Sequence, residues 1–430
     1  MGSINFAEFE KAFQFHKHGN INEAKKIYEK ILSDHPNHFD ALHLLGVIKY
    51  QTGSFREAED CFLAAINLEE NSAILYSNYG LVLEKLYRFE EAIFCFDKAI
   101  SIQPNYSEAY YNCGNILYKT KNYKLSVEYF KKAVSLRPNY AEAFNNLGIA
   151  QKELNCFSDA LNSFDKATTI DPRYAEAFNN KGNVFKSINK FNEALLNYDT
   201  ALTINPTYVE AHINRTKVLY SMNLFEQALQ SNEIILSILI NDYDALNERG
   251  KILYKLKRFD DVVFNCQKIL KINSTDSEIL LVKGNALYEL KKYEDAINCY
   301  NISISINPDR AEVYNNIGII QHKLKLYNEA LDNFNKAIFL KNDYAEAFLN
   351  RGVIQRELKY FHEAMESYDR AISHKSDFAE AFYNRGNLFR ILKKFELALD
   401  DYNKAIQFKP DYAEAIYNIA NTLPVSYTHL

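Results

Sequence analysis

The side chains of this 430-residue chain best able to do chemistry are scattered rather than gathered. His35, His38 and His43 lie close together, and three imidazoles could hold a metal ion. They lack the i,i+4 spacing that puts two ligands on one helix face, so they read as solvated turn and groove histidines. The six cysteines, Cys61, Cys95, Cys113, Cys156, Cys266 and Cys299, include no C-x-x-C pair. Cys61 and Cys95 stand 34 residues apart in equivalent positions, which predicts separate, reduced thiols. Acidic neighbours such as Glu90 and Glu91 read as a solvated helix face. No phosphate-cradling glycine loop, H-E-x-x-H or G-x-S-x-G occurs. The expectation is therefore no catalytic residue, no metal and no cofactor.

Two polar rows are regular instead. Asparagine recurs at Asn78, Asn112, Asn146, Asn180, Asn214, Asn316, Asn350, Asn384 and Asn418. A carboxamide donates and accepts at once, so a row of them matches the alternating C=O and N–H of an extended peptide. The alternative role is packing or hydration of a helix face. The next position carries Lys181, Arg215, Arg249, Lys283, Arg351 and Arg385. These bases would favour an acidic partner segment, or else lay their stems on the surface and pair with nearby acids.

Both rows follow one ruler. "AEAFNNLG" at 141–148 returns as "AEAFNNKG" at 175–182, 34 residues later. Ten of the 13 glycines, at 46, 80, 114, 148, 182, 250, 284, 318, 352 and 386, keep the same phase. Seven of the eight prolines share another: Pro36, Pro104, Pro138, Pro172, Pro206, Pro308 and Pro410. A fixed period of this length marks a stacked repeat. Numbering each unit from the Ala of "AEA" puts Gly in slot 8 and gives 5–38, 39–72, 73–106, 107–140, 141–174, 175–208, 209–242, 243–276, 277–310, 311–344, 345–378 and 379–412. Apolar residues recur at helical spacing with a break near slots 15–16, which predicts helix A over slots 1–14 and helix B over slots 17–30. A mid-helix Gly costs about 1 kcal/mol against Ala. Ten of them make sense where helix B crosses too closely for a Cβ. Ala at slot 20 reads as a second close contact, Pro at slot 32 as the stop of helix B, and the aromatic at slot 34 as a hydrophobic staple. Slots 24 and 27 pair large with small (Phe96/Ala99, Tyr368/Ala371), an order inverted in Asn232/Ile235 and Cys266/Ile269.

Aromatic or apolar at slot 4, Gly at 8, Ala at 20, aromatic at 24, Ala at 27 and Pro at 32 resembles the tetratricopeptide repeat (TPR) over residues 5–421. The resemblance implies an all-α fold, a right-handed superhelical α-solenoid of helix hairpins. Helix A would line a concave groove that binds a protein or peptide partner, with the asparagine row facing the ligand. A family clamp for a terminal carboxylate needs Lys at slot 2 and Arg at slot 6. Here residues 142, 176, 346 and 380 are Glu, so that mode is not expected. The stretch 38–59 is also similar to the first repeats of bacterial TPR proteins with a following transferase, relatives of O-linked N-acetylglucosamine transferase. That likeness implies an alternative, the substrate-recognition arm of a truncated glycosyltransferase.

Net charge is −5, with no basic field for nucleic acid, and no apolar run of membrane length occurs. No apolar leader is visible at the N-terminus and the thiols read as reduced, so a cytoplasmic protein is expected, and the likeness of 38–59 implies a bacterial one. The unit 209–242 departs from the pattern, with Thr216 for Gly and Ile240 for Pro. Ile234, Leu239 and Ile240 would then form an apolar interface for self-association, or be buried by a shifted turn. A thirteenth unit opens at 413–423, followed by "PVSYTHL" at 424–430, expected to be a non-native tail on a fragment. Pro424 falls inside a helix A position, where proline costs about 3 kcal/mol.

Overall fold

The computed structural model describes the backbone of residues 3–428 and the side chains of residues 7–422. Every described element is an α-helix, twenty-five in all, with no strand among the described residues. They fall into two compact units, residues 1–223 and 224–430. The first holds the helices from Ser3–Lys17 to Val209–Ser221, and the second those from Phe225–Ile238 to Ala413–Thr428. The boundary lies within the aberrant repeat 209–242. Each unit is an α-solenoid of hairpins, each packed on its predecessor.

One repeat shows the construction. Helix A is Ala141–Glu153 and helix B Phe157–Ile170. The turn between them is a Schellman motif: Cys156 N–H reaches Gln151 O at 2.9 Å, and Asn155 N–H reaches Lys152 O at 2.9 Å. It requires slot 15 to be left-handed. All twelve repeats obey, through Gly19, Gly53, Tyr87, Asn155, Asn189, Asn223 and six lysines from Lys121 to Lys393. The sequence signals only a break there. Helix B ends at slot 30, and its C-cap at slot 31 directly precedes the recurrent proline, as Ile170 and Asp171 do before Pro172.

The glycine row has the expected steric cause, with a specific partner. A Cβ on Gly80 would stand 2.8 Å from the Phe96 ring, and one on Gly182 2.6 Å from the Tyr198 ring. The obstacle is the slot 24 aromatic of the same repeat, rather than the slot 20 alanine. Where slot 24 is Cys266, the nearest atom to such a Cβ on Gly250 is Asn265 Nδ2 at 3.2 Å. Ile269 is buried there where most other repeats carry alanine, so volume has moved from one slot to the other. Helix proximity shows again at Ser126, whose Oγ in slot 20 donates to Gly114 O at 2.8 Å.

Slot 34 corrects the staple reading. Its aromatic is itself the N-cap residue, as in Tyr140. It packs back on slot 5 of its own repeat: Tyr111 and Tyr140 ring centroids are 4.9 Å apart, as are Tyr383 and Tyr412. Two repeats without that aromatic use a carboxylate cap, with Asp242 accepting from Ala245 N and Asp276 from Glu278 N and Ile279 N. His38 caps the same way onto Ala41 N at 3.2 Å. The helix opening the thirteenth unit is Ala413–Thr428, and the side chains of the expected tail 424–430 lie outside the described residues. Among the described residues no helix is long and apolar enough to cross a membrane. All six cysteines are free thiols, and only Cys156 is exposed.

Candidate ligand groove

The asparagine row lies at the joints between successive helices A. Asn180 Nδ2 donates to Asn145 Oδ1 at 3.0 Å, Asn214 to Asn179 at 3.1 Å and Asn350 to Asn315 at 3.1 Å. These acceptors occupy slot 5 of the preceding repeat. Slot 9 of the preceding repeat takes the bond elsewhere: Asn146 to Asn115 at 2.8 Å, Asn316 to Asn285 at 3.1 Å and Asn418 to Asn387 at 2.8 Å. Asn78 Nδ2 meets His43 Nε2 at 2.9 Å. Asn384 instead donates to Glu380 O at 2.8 Å and accepts from Arg356 at 3.4 Å. Asn112 is half-buried, whereas Asn214 and Asn418 are buried. One N–H of most carboxamides is thus committed to the joint. At Asn180 and Asn350 this leaves a second N–H and an oxygen for a ligand.

The base row is also spent at the joints. Lys181 pairs with Asp165 at 2.6 Å, Arg215 with Asp199 at 2.7 Å and Arg249 with Glu233 at 3.5 Å. Each partner occupies slot 25 of the preceding helix B. Arg385 bridges Asp369 of the preceding repeat at 2.6 Å and the buried Asp401 of its own at 2.7 Å. Burial alone would lower the pKa of Arg385, but its bonds to Asp401 and Asp369 hold it above the usual value. Arg351 meets neutral acceptors, Asn335 Oδ1 at 3.1 Å and Ser367 Oγ at 3.0 Å, and burial lowers its pKa. Lys283 is half-buried. Four of the six bases thus pair with acids inside the array, and Arg351 bonds neutral acceptors.

Two pockets open on the helix-A face, built from the same slots. One, of about 270 Å³, is lined by Tyr254, Asn285, Tyr288, Glu289, Glu312 and Asn316, with Tyr300 at its floor. The other, of about 300 Å³, uses Glu84, Asn115, Tyr118, Lys119 and Asn146 over Phe130. Each spans three repeats: slot 12 of the first, slots 9, 12, 13 and 24 of the second, and slots 6 and 9 of the third. Burial raises the pKa of Tyr118 and Tyr254, so both phenols remain hydrogen-bond donors at neutral pH.

Slot 9 was not recognised in the sequence, although its pairing with slot 24 is readable there. Tyr198, Tyr300 and Tyr402 donate to Asn183, Asn285 and Asn387 at 2.8, 2.7 and 2.8 Å. Tyr28 and Tyr368 have Phe13 and Val353 at slot 9, and their buried hydroxyls have no partner among the described residues.

In repeat 209–242 the turn is remade, with Asn241 at φ 62°. The shift does not bury the apolar residues: Ile234, Leu239 and Ile240 remain 41%, 39% and 79% exposed. Of the clustered histidines, His38 stacks on Phe9 and His43 lies against Phe39 and Phe62.

Tetratricopeptide repeat models match residues 15–77, 107–140, 311–344, 345–377 and 379–412, and a TPR repeat model matches 88–121, 182–223 and 284–325. No match is found among curated proteins. Similar solved structures include YrrB, titled a TPR protein with an unusual peptide-binding site, 24% identical over 43% of this chain and 95% of its own, with a TM-score of 0.38. The APC/C hetero-tetramer Cut9–Hcn1 is 13% identical over 98% of this chain and 96% of its own, at 0.46. Yeast Tom70 is 14% identical over 99% and 96%, at 0.44. The repeat matches cover more than half of the residues, and the hairpin, its glycine-on-ring contact and its proline stop recur at their 34-residue period. The chain belongs to the tetratricopeptide repeat family.

Proposed function

We propose that this protein is an interaction scaffold that seats an extended segment of a partner along the helix-A face. One observation carries the reading: the same three-repeat pocket forms twice, from the same slots. Asparagine carboxamides line both pockets, with phenols beside them. A ligand that met the array through its backbone would find equivalent donors and acceptors at each step. The test uses the full chain as bait and a captured partner as ligand. Replacing Asn316, Asn350 and Asn384 by Ala removes groove amides worth about 0.5–1.5 kcal/mol each. Affinity should fall by more than stability, since Ala is the better helix former. Unchanged affinity in that variant would sink the reading.

The exposed residues Ile234, Leu239 and Ile240 favour a second role, self-association through repeat 209–242. An Ile234→Lys, Leu239→Asn variant should then sediment as a smaller species than the wild type. A wild type that is monomeric at high concentration would rule this out.

A further inference from the structure

Slots 12 and 13 of neighbouring repeats meet across each helix-A joint, and charges placed there are matched in two cases. Lys119 pairs with Glu84, and His322 meets Glu357 at 3.1 Å. The joints on either side of helix Ala175–Ser187 break this rule. Lys152 and Lys186 both occupy slot 12, and the matching slot 13 residues are Ser187 and Ser221. Lys217, at slot 9 of the next helix A, completes the three-repeat register of the two pockets.

Lys186 is half-buried and donates to Asn214 Oδ1 at 3.2 Å, a neutral acceptor. Its pKa is lowered by burial first, then by Lys217 and Lys152. The nearby carboxylates are few. Glu153 lies 3.2 Å from its chain neighbour Lys152, and Glu210 accepts from Asn179. Lys152 and Lys186 sit in the last turns of their helices, where the dipole favours cations. That accounts for neither Lys217, which lies mid-helix, nor the convergence of all three.

We propose that Lys152, Lys186 and Lys217 form an anion subsite of the groove, taking side-chain carboxylates of an acidic partner segment. The proposal rests on the groove reading above and deepens it. Helices A pack roughly 8–10 Å apart, and an extended chain rises about 3.3 Å per residue. One acid every third residue would therefore keep step with the lysines. The ammonium cluster stays partly uncompensated until such a segment arrives, and the ligand's carboxylates offset the mutual repulsion of the three lysines.

The probe is a fluorescent peptide, blocked at both ends, with Glu at every third position among Gly and Ser, beside its Gln counterpart. Anisotropy at low ionic strength should show the Glu peptide binding about tenfold more tightly, as expected for three partly screened pairs. Lys152→Gln/Lys186→Gln/Lys217→Gln should abolish the preference at a thermal midpoint no lower than that of the wild type. A control, Lys291→Gln/Lys325→Gln/Lys359→Gln, changes net charge equally and should keep it. Equal affinity for the two peptides overturns the subsite while leaving peptide binding intact. A preference that survives the first variant overturns it as well, placing acid binding elsewhere. Binding of neither peptide also overturns the subsite, and the groove reading is then decided by the captured partner and the asparagine variant.

Discussion

Tyr368→Phe should stabilise the protein, whereas the same substitution at Tyr402 should destabilise it. Both rings are fully buried in slot 24, and Phe fills that slot in five other repeats, so the ring itself fits. The hydroxyls differ. Tyr402 donates to Asn387 Oδ1 at 2.8 Å, whereas Tyr368 faces Val353 at slot 9 and has no partner among the described residues. Burial pushes the Tyr368 phenol up to about 12, so its unpaired proton stays on at neutral pH. An unpaired buried hydroxyl costs about 1–3 kcal/mol, so removing it should gain about 1 kcal/mol or more. Losing the Tyr402 bond should cost about 0.5–1.5 kcal/mol. The lower end is expected, because Asn387 keeps its bond from Asn418 at 2.8 Å. A repeat array need not unfold in one step, so urea unfolding should be joined by amide hydrogen exchange in helices Phe361–His374 and Phe395–Phe408. Val353→Asn supplies the missing acceptor, and in that background Tyr368→Phe should change sign. Equal losses at Tyr368 and Tyr402 in the native background would refute the reasoning, by showing that the Tyr368 hydroxyl is satisfied.

Ala371→Leu overfills the fully buried slot beside Tyr368 and should cost about 1–3 kcal/mol, read as a lower urea midpoint. Tyr87 is held at φ 59° with an exposed ring, so Tyr87→Gly should gain about 1 kcal/mol, and a loss would mean the ring contributes packing. His43 is kept neutral by burial, which lowers its pKa, and it meets the Asn78 amide at 2.9 Å. The unfolded chain takes up that proton more readily, so this contribution is full above the ordinary value of 6.5 and declines as pH falls below it. His43→Gln should flatten that stretch of a stability-against-pH curve, and an unchanged slope would assign the slope to other groups.

The period and the two-helix unit were legible because proline and mid-helix glycine leave marks that few other causes produce. The reason for the glycine was legible too, but the ring that enforces it was identified only when Gly182 met Tyr198. Slot 15 was opaque, because six of its twelve left-handed residues are lysine, which advertises no such backbone. Partner choice was the hardest part. Pairing of Lys181 with an acid was one of two readings open in the sequence, but the acid itself, Asp165, lies on another helix sixteen residues earlier and could not be named. The asparagine row was found by its period, whereas its commitment to the joints depends on slots 5 and 9, which vary between repeats.

The direction of the joint bonds bears on how such a chain can change over generations. Asn180 reaches slot 5 of its predecessor, Lys181 reaches slot 25, and Asn350 and Arg385 do the same many repeats later. Each of these four bonds crosses a single joint and looks backward along the chain. A tandem duplication or loss of one whole 34-residue unit would therefore regenerate each bond at the new seam, provided the copies share those slots. An insertion of any other length would misalign the donors of every repeat that meets it. Gene rearrangement can then lengthen or shorten the array in whole units at small cost, while point changes at slots 5, 9 and 25 decide which repeats remain interchangeable. Repeat 243–276, with Glu248 at slot 6, has already left that pool.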